Sequence, residues 1–307
     1  MYKKQTDLAI ESREIHAKDG AIDGITVSER TADGVCVTAM QITPDGARVC
    51  GKQSGKYITL EFDALLYTKE DAFETAVTEL VSELGAMMPS HGGCVFVAGL
   101  GNKHITADSI GPRAVDRLLV TRHIRRLDAE LYERAEFGEL AAIASGVLGQ
   151  TGIESAEIIA SIVSRIRPRC VIAIDALASR RLSRLGTTIQ LSDTGICPGS
   201  GVANHRTALN KDTLGVPVIS IGVPTVVDAG TVAHDLLEEF ASREGIRPDA
   251  ERFLAEFQNG SRSDFFVTPR DSDALADSAA RLISAAINLA VHDGMTLQEL
   301  AKLQSSV

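Results

Sequence analysis

Three apolar runs constrain the fold of this chain more than any other feature: Cys94-Val95-Phe96-Val97-Ala98, Cys170-Val171-Ile172-Ala173-Ile174 and Pro217-Val218-Ile219-Ser220-Ile221. A strand with one wet face alternates polar and apolar residues, whereas one covered on both faces does not. Helical patterns separate the runs, at residues 112–127 and 154–166, the latter with Ile158, Ile159, Ile162 and Val163 on its apolar side. Apolar strands alternating with helices predict an α/β fold, a mainly parallel doubly wound sheet flanked by helices.

Ahead of these runs, residues 25–27, 35–40, 47–49 and 57–60 read as short strands, with Asp33-Gly34 and Asp45-Gly46 as turns. They predict a small N-terminal antiparallel β meander packed on the core over residues 10–68. From Lys69 the period changes, with Phe73, Val77, Leu80 and Leu84 at helical spacing up to Met88-Pro89. The main α/β domain is expected over 69–307, with helical C-terminal segments at 236–240, 253–257, 274–289 and 297–303 and a polar loop at 259–263.

With 44% apolar residues in 307, such a core needs no cross-links. The five cysteines (Cys36, Cys50, Cys94, Cys170, Cys197) are odd in number and form no CxxC, so they read as small buried hydrophobes in a reducing compartment. A formal charge of −10 and the absence of Trp argue against direct nucleic-acid binding, which needs a basic face and stacking platforms. No uninterrupted apolar run approaches the roughly 18 residues of a membrane span, and no apolar h-region follows Lys3 and Lys4, so a cytoplasmic protein is expected.

In an open α/β sheet, ligands bind outside the carboxyl ends of the strands. Two aspartates follow the apolar runs there: Asp108, just ahead of Ile110-Gly111-Pro112, and Asp175, directly after Ile174. An aspartate after a strand often serves only as a cap or turn residue. Two carboxyls close together, however, do not both ionise cheaply, so that one holds a proton while the other accepts one from water. Gly99, Gly101 and Asn102 after the first run, and Gly199, Ser200 and Gly201 further on, are candidates for close backbone approach to a substrate. The dinucleotide pattern G-x-G-x-x-G is incomplete, since position 104 is His. Asp193, in Ser192-Asp193-Thr194-Gly195, matches the loop of pepsin-like proteases in a single copy and stands as a secondary candidate. No HxxxH or HxH occurs, so no metal or cofactor site is signalled, and no G-x-S-x-G elbow marks a serine nucleophile.

Taken together, Gly99-Leu100-Gly101-Asn102 with Asp108, Val120-Thr121-Arg122-His123, Gly149-Gln150-Thr151-Gly152-Ile153-Glu154, Ile174-Asp175-Ala176-Leu177-Ala178-Ser179-Arg180, Thr188-Ile189-Gln190, Pro198-Gly199-Ser200-Gly201, Ile221-Gly222-Val223-Pro224-Thr225 and Phe266-Val267-Thr268-Pro269 resemble the germination proteases of endospore-forming bacteria. The resemblance implies a hydrogenase-maturation-protease-like fold and a homotetrameric endopeptidase of the spore core that degrades small acid-soluble spore proteins. It puts the two essential aspartates on Asp108 and Asp175 and none on Asp193. It also implies a zymogen that clips itself at an acidic-apolar-Ala site with Glu second after the cut. Asp7-Leu8-Ala9-Ile10-Glu11 fits, which predicts cleavage between Ala9 and Ile10 and a pro-segment of residues 1–9, in a stretch that otherwise reads as polar and outside any core. Two other readings of the residues stand beside this one. A metal-assisted peptidase built on the same carboxylates would be EDTA-sensitive, and a non-catalytic binding module for spore proteins would cut nothing.

Overall fold

The computed structural model describes residues 6–17, 22–63, 70–90, 92–197, 207–244 and 265–305. The strands among them are β1 (Ile25–Ala32), β2 (Val35–Ile42), β3 (Gly55–Phe62), β4 (Val95–Leu100), β5 (Leu140–Gly146), β6 (Cys170–Ser179), β7 (Thr188–Ser192), β8 (Val218–Asp228) and β9 (Phe266–Val267). The helices are α1 (Ala9–His16), α2 (Pro44–Cys50), α3 (Glu70–Met87), α4 (Ile110–Val115), α5 (Arg122–Leu127), α6 (Ala129–Arg134), α7 (Leu148–Thr151), α8 (Ser155–Ile166), α9 (Lys211–Leu214), α10 (Ala229–Glu244), α11 (Ser272–Val291) and α12 (Leu297–Ser305).

All three apolar runs are strands, and they are parallel: Val95 pairs with both Cys170 and Leu140, and Val171 with Val218. The order is β1-β2-β3-β7-β8-β6-β4-β5, with β9 on β8, a single mixed sheet. Its antiparallel half holds β1, β2 and β3, joined to the parallel half through β7.

Alternation splits the core between the two faces. Ile58, Leu60, Val95, Val97, Ile172, Ile174, Ile219 and Ile221 point to the face covered by α3, α4 and α11. Phe96, Ala98, Val171 and Ala173 point the other way, to Ile159 and Val163 of α8. On that second face, beside α8, a further cluster joins Met40, Ile42, Tyr57 and Leu177 to Leu8, Ala9 and Ile10. The N-terminal stretch therefore belongs to the core, contrary to its polar reading. Burial pushes the thiols of Cys94 and Cys170 up to about 11, in keeping with their reading as small hydrophobes.

Two local expectations are corrected. Residues 47–49 are helical because Thr43 caps the helix, its Oγ1 accepting from the Gly46 amide at 3.4 Å, with Pro44 in the first turn and Gly51 in the left-handed region after the end. These start and stop signals outweigh the Asp45-Gly46 turn. The helix expected over 112–127 is broken between α4 and α5, because tertiary partners take its backbone groups. Leu119 donates its amide to Asn288 Oδ1 at 2.9 Å, Asn288 Nδ2 donates to the Arg117 carbonyl at 3.2 Å, and Thr121 donates to the Leu140 carbonyl at 3.0 Å. α11 has the length and apolarity of a membrane span, with a mean hydropathy of 1.3, but most of that window is buried against the protein.

Candidate active site

Asp175 lies within a strand rather than in the loop after one. β6 continues beyond Ile174 because Ala176, Leu177, Ala178 and Ser179 go on pairing with β8. β4, in contrast, ends just past Gly99, the partner of Ile174. The sheet thus has a step, with Asp175 beside it, and the row Asp175–Gly222–Gln190 crosses β6, β8 and β7. The chain leaves β4 for β5 on one side and returns to β6 on the other, which makes the step the topological switch point of the parallel half. Alternation puts Asp175 on the face of Ala173, Leu177 and Ser179, away from α3 and α11. The residue is 5% exposed, and its carboxylate accepts the Ala176 amide at 3.0 Å.

Asp108 reaches the same step through glycines. Gly101 has φ +105°, and a Cβ there would stand 2.1 Å from the Asp108 carbonyl oxygen and 2.7 Å from its Oδ1. Only glycine permits both the dihedral and the contact. A Cβ on Gly99 would meet the Gly111 carbonyl at 2.4 Å, and one on Gly111 the Ile174 carbonyl at 2.8 Å, so α4 lies directly on β4 and β6. Gly99 and Gly101 are thus packed against this chain's own backbone. Asp108 Oδ2 accepts the Asn102 amide at 2.8 Å, while Asn102 Oδ1 accepts from the His104 amide at 3.0 Å and from Gln150 Nε2 at 2.8 Å. Thr225 Oγ1 donates to the Ala107 carbonyl at 2.7 Å, fixing the turn to β8. Gly101 is two residues past the partner of Ile174, so Asp108 and Asp175 occupy the same end of neighbouring strands.

The face that carries Asp175 also holds the N-terminal segment. Asp7 donates its amide to the Ala178 carbonyl at 2.9 Å, and its Oδ2 accepts the Ala178 amide at 2.8 Å. Lys52 Nζ donates to the Thr6 and Asp7 carbonyls, each at 2.9 Å; burial pushes its ammonium below the ordinary lysine range, against the opposing pull of the Asp7 carboxylate. The Ala9 amide donates to Gln190 Oε1 at 2.6 Å, in the row of Asp175. Leu8 and Ala9 are fully buried against Leu177 and their neighbours. Glu11, also at 0% exposure, accepts the Arg180 amide at 2.6 Å on Oε2 and, on Oε1, the Arg181 amide at 3.0 Å. Arg184 Nη1 stands 3.2 Å from the same Oε1, and Thr6 Oγ1 donates to Oε2. Arg184 is itself held by Glu61 at 2.8 Å and Glu14 at 2.9 Å; its burial works against the charge, but those carboxylates raise its pKa above the ordinary range.

Asp193 is elsewhere. β7 runs antiparallel to β8, so Asp193 lies three residues beyond Gln190 toward the amino end of the parallel strands, roughly 10 Å along the sheet from the Asp175 row. Its Oδ1 accepts the Lys56 amide at 2.8 Å, closing the end of the β3–β7 ladder. Gly199, Ser200 and Gly201 fall outside the described residues, as does the helix expected at 253–257. Lys52 and Arg184 carry no motif in the sequence and enter only through their contacts with the N-terminal segment; Gln190 stands in the Thr188-Ile189-Gln190 stretch, but only the structure shows its side chain, in a strand buried along its whole length, meeting that segment.

The sequence profile described as "Germination protease" matches residues 4–247. A germination protease of Caldanaerobacter subterraneus subsp. tengcongensis is 42% identical, covering 97% of this chain and 97% of its own length. One from Clostridium perfringens is 37% identical over 98% of this chain and 99% of its own, and one from Bacillus subtilis is 43% identical over 77% and 67%. Among solved structures, the [NiFe] hydrogenase maturation protease HycI from Thermococcus kodakarensis is 16% identical with a TM-score of 0.37, covering 67% of this chain and 98% of its own, a likeness too distant to add to the strand order. A profile match over most of the chain and relatives of this identity along nearly its whole length have one meaning: the chain belongs to the germination protease family.

Proposed function

We propose that this chain is an endopeptidase that begins the degradation of small acid-soluble DNA-binding spore proteins in the germinating spore. In this reading it is made as a zymogen that cuts itself between Ala9 and Ile10, with water activated by Asp108 and Asp175. The observation that carries the reading is the docking of Asp7-Leu8-Ala9-Ile10-Glu11 on the sheet face that bears Asp175, beside the step to which Gly101 holds Asp108.

The chemistry follows from the pair. One carboxylate takes a proton from water as it attacks the Ala9 carbonyl, and the other carboxyl gives a proton to the departing Ile10 nitrogen. The bond begins α1 and lies between buried residues, so the first turn of α1 must open before water reaches it. The docked arrangement is therefore the uncut state, held shut by the Asp7 and Glu11 contacts.

Intact mass tests this directly. The wild type is expected to lose residues 1–9 and to cut a spore-protein peptide, while Asp108→Asn and Asp175→Asn stay whole and inert with unchanged circular dichroism. Continued processing by either variant would remove that aspartate from the mechanism. Light scattering of the purified chain tests the homotetramer expected from the resemblance.

A further inference from the structure

Both ends of the docked segment are held through acidic side chains four residues apart, and the partners of those carboxylates are donors. The Glu11 carboxylate has donors on each oxygen: the Arg180 amide and Thr6 hydroxyl on Oε2, the Arg181 amide and Arg184 on Oε1. A glutamine there would turn its NH2 group against one of these pairs in either flip, leaving buried donors facing donors. An anion with two accepting oxygens is the group that satisfies this corner. At the other end, the Asp7 carboxylate takes the Ala178 amide while the Asp7 amide donates back to the same residue.

We infer that the strip formed by Lys52, Ala178, Arg180, Arg181 and Arg184 is the surface that selects substrate. The acidic residue third before the cut and the Glu second after it, a pattern the family resemblance already implies, are read by this strip, and Arg184 determines specificity for the Glu. Glu61, which holds Arg184 Nε at 2.8 Å from β3, is a positioning residue. The inference rests on the protease reading above. It adds that the chain's own segment and a substrate compete for one strip.

The test uses the full chain and three synthetic peptides spanning residues 1–16: the natural sequence, its Asp7→Asn form and its Glu11→Gln form. Wild type is expected to cut the Glu11→Gln peptide about 100-fold less efficiently in kcat/KM than the natural one, the penalty for unpaired donors in a buried site. The Asp7→Asn peptide keeps an oxygen for the Ala178 amide and loses only its charge beside Lys52, so it should fall by less, about threefold to tenfold. Arg184→Lys should shrink the Glu/Gln ratio severalfold and leave the Asp/Asn ratio unchanged. A Glu11→Gln peptide cut within twofold of the natural one by wild type overturns the strip, even if the variant does not fold. An unchanged Glu/Gln ratio in folded Arg184→Lys overturns the part given to Arg184. If wild type cuts none of the peptides, the protease reading falls instead, and the affinity of fluorescein-labelled natural and Glu11→Gln peptides decides the strip, with equal affinities overturning it.

Discussion

Gly101 carries more of the site's geometry than its size suggests. Its φ of +105° is costly for any side chain, and the volume a Cβ would need is taken by Asp108. Gly101→Ala is expected to lower stability by about 2–3 kcal/mol in urea unfolding and to abolish self-processing by displacing Asp108. Gly149→Ala is the control: in α7 a Cβ there meets nothing within 4 Å, and the change should be neutral or stabilising by under about 1 kcal/mol. The position of Asp108 at the end of β4 was legible in the sequence because it stands between two punctuated features, the Gly-x-Gly exit of β4 and the Gly-Pro start of α4. Asp175 was legible as a residue but not in its setting. The apolar run stops at Ile174, yet the strand goes on to Ser179, because pairing with β8 rather than hydrophobicity sustains it.

At the scale of elements, α11 shows how a helix can make stability depend on pH. Its C-terminal cap, His292, is 1% exposed, with Nε2 3.0 Å from the Leu119 carbonyl and its ring edge-on to Phe137. Burial holds the imidazole below its ordinary value of 6.5, so the folded state stays neutral where the unfolded chain takes up a proton. A depressed folded pKa means stability that is complete above 6.5 and is lost progressively as pH falls below it. The Tm of wild type should therefore drop between about pH 6.5 and 5 more steeply than that of His292→Gln, which keeps a donor for Leu119 but does not titrate. Parallel slopes would remove His292 from the pH response. Elements were legible where periodicity or covered strands dominate, as in α3, α8 and the three apolar runs. They were not where tertiary hydrogen bonds decide, as at residues 116–121, or where a cap overrides a turn, as at Thr43.

Over the whole molecule, the least legible part is the N-terminal segment. Residues 6–12 look like a polar leader because the information that packs them lies far along the chain, in Leu177, Ala178, Gln190 and Arg184. Their docking ties the antiparallel half of the sheet to β7 and the extended end of β6, and cutting after Ala9 would separate the two clasps. Asp7 and the buried Leu8 leave with residues 1–9, while Glu11 stays covalently on the chain and must give up its contacts to Arg180, Arg181 and Arg184 before a substrate can take the strip. A chain beginning at Ile10 should therefore lose roughly 3 kcal/mol, the burial of Leu8 together with the Asp7 hydrogen bonds, and melt several degrees lower. Amide hydrogen exchange locates the loss. The Ala178 amide, deprived of its acceptor, should exchange much faster, and the Arg180 and Arg181 amides should follow as Glu11 vacates the strip. Acceleration at all three means that α1 undocks as one piece once Asp7 is gone. Glu11 is then held in place by residues 1–9, whose removal clears the whole strip, whereas protection kept at Arg180 and Arg181 would leave the strip occupied and shut a substrate out of it.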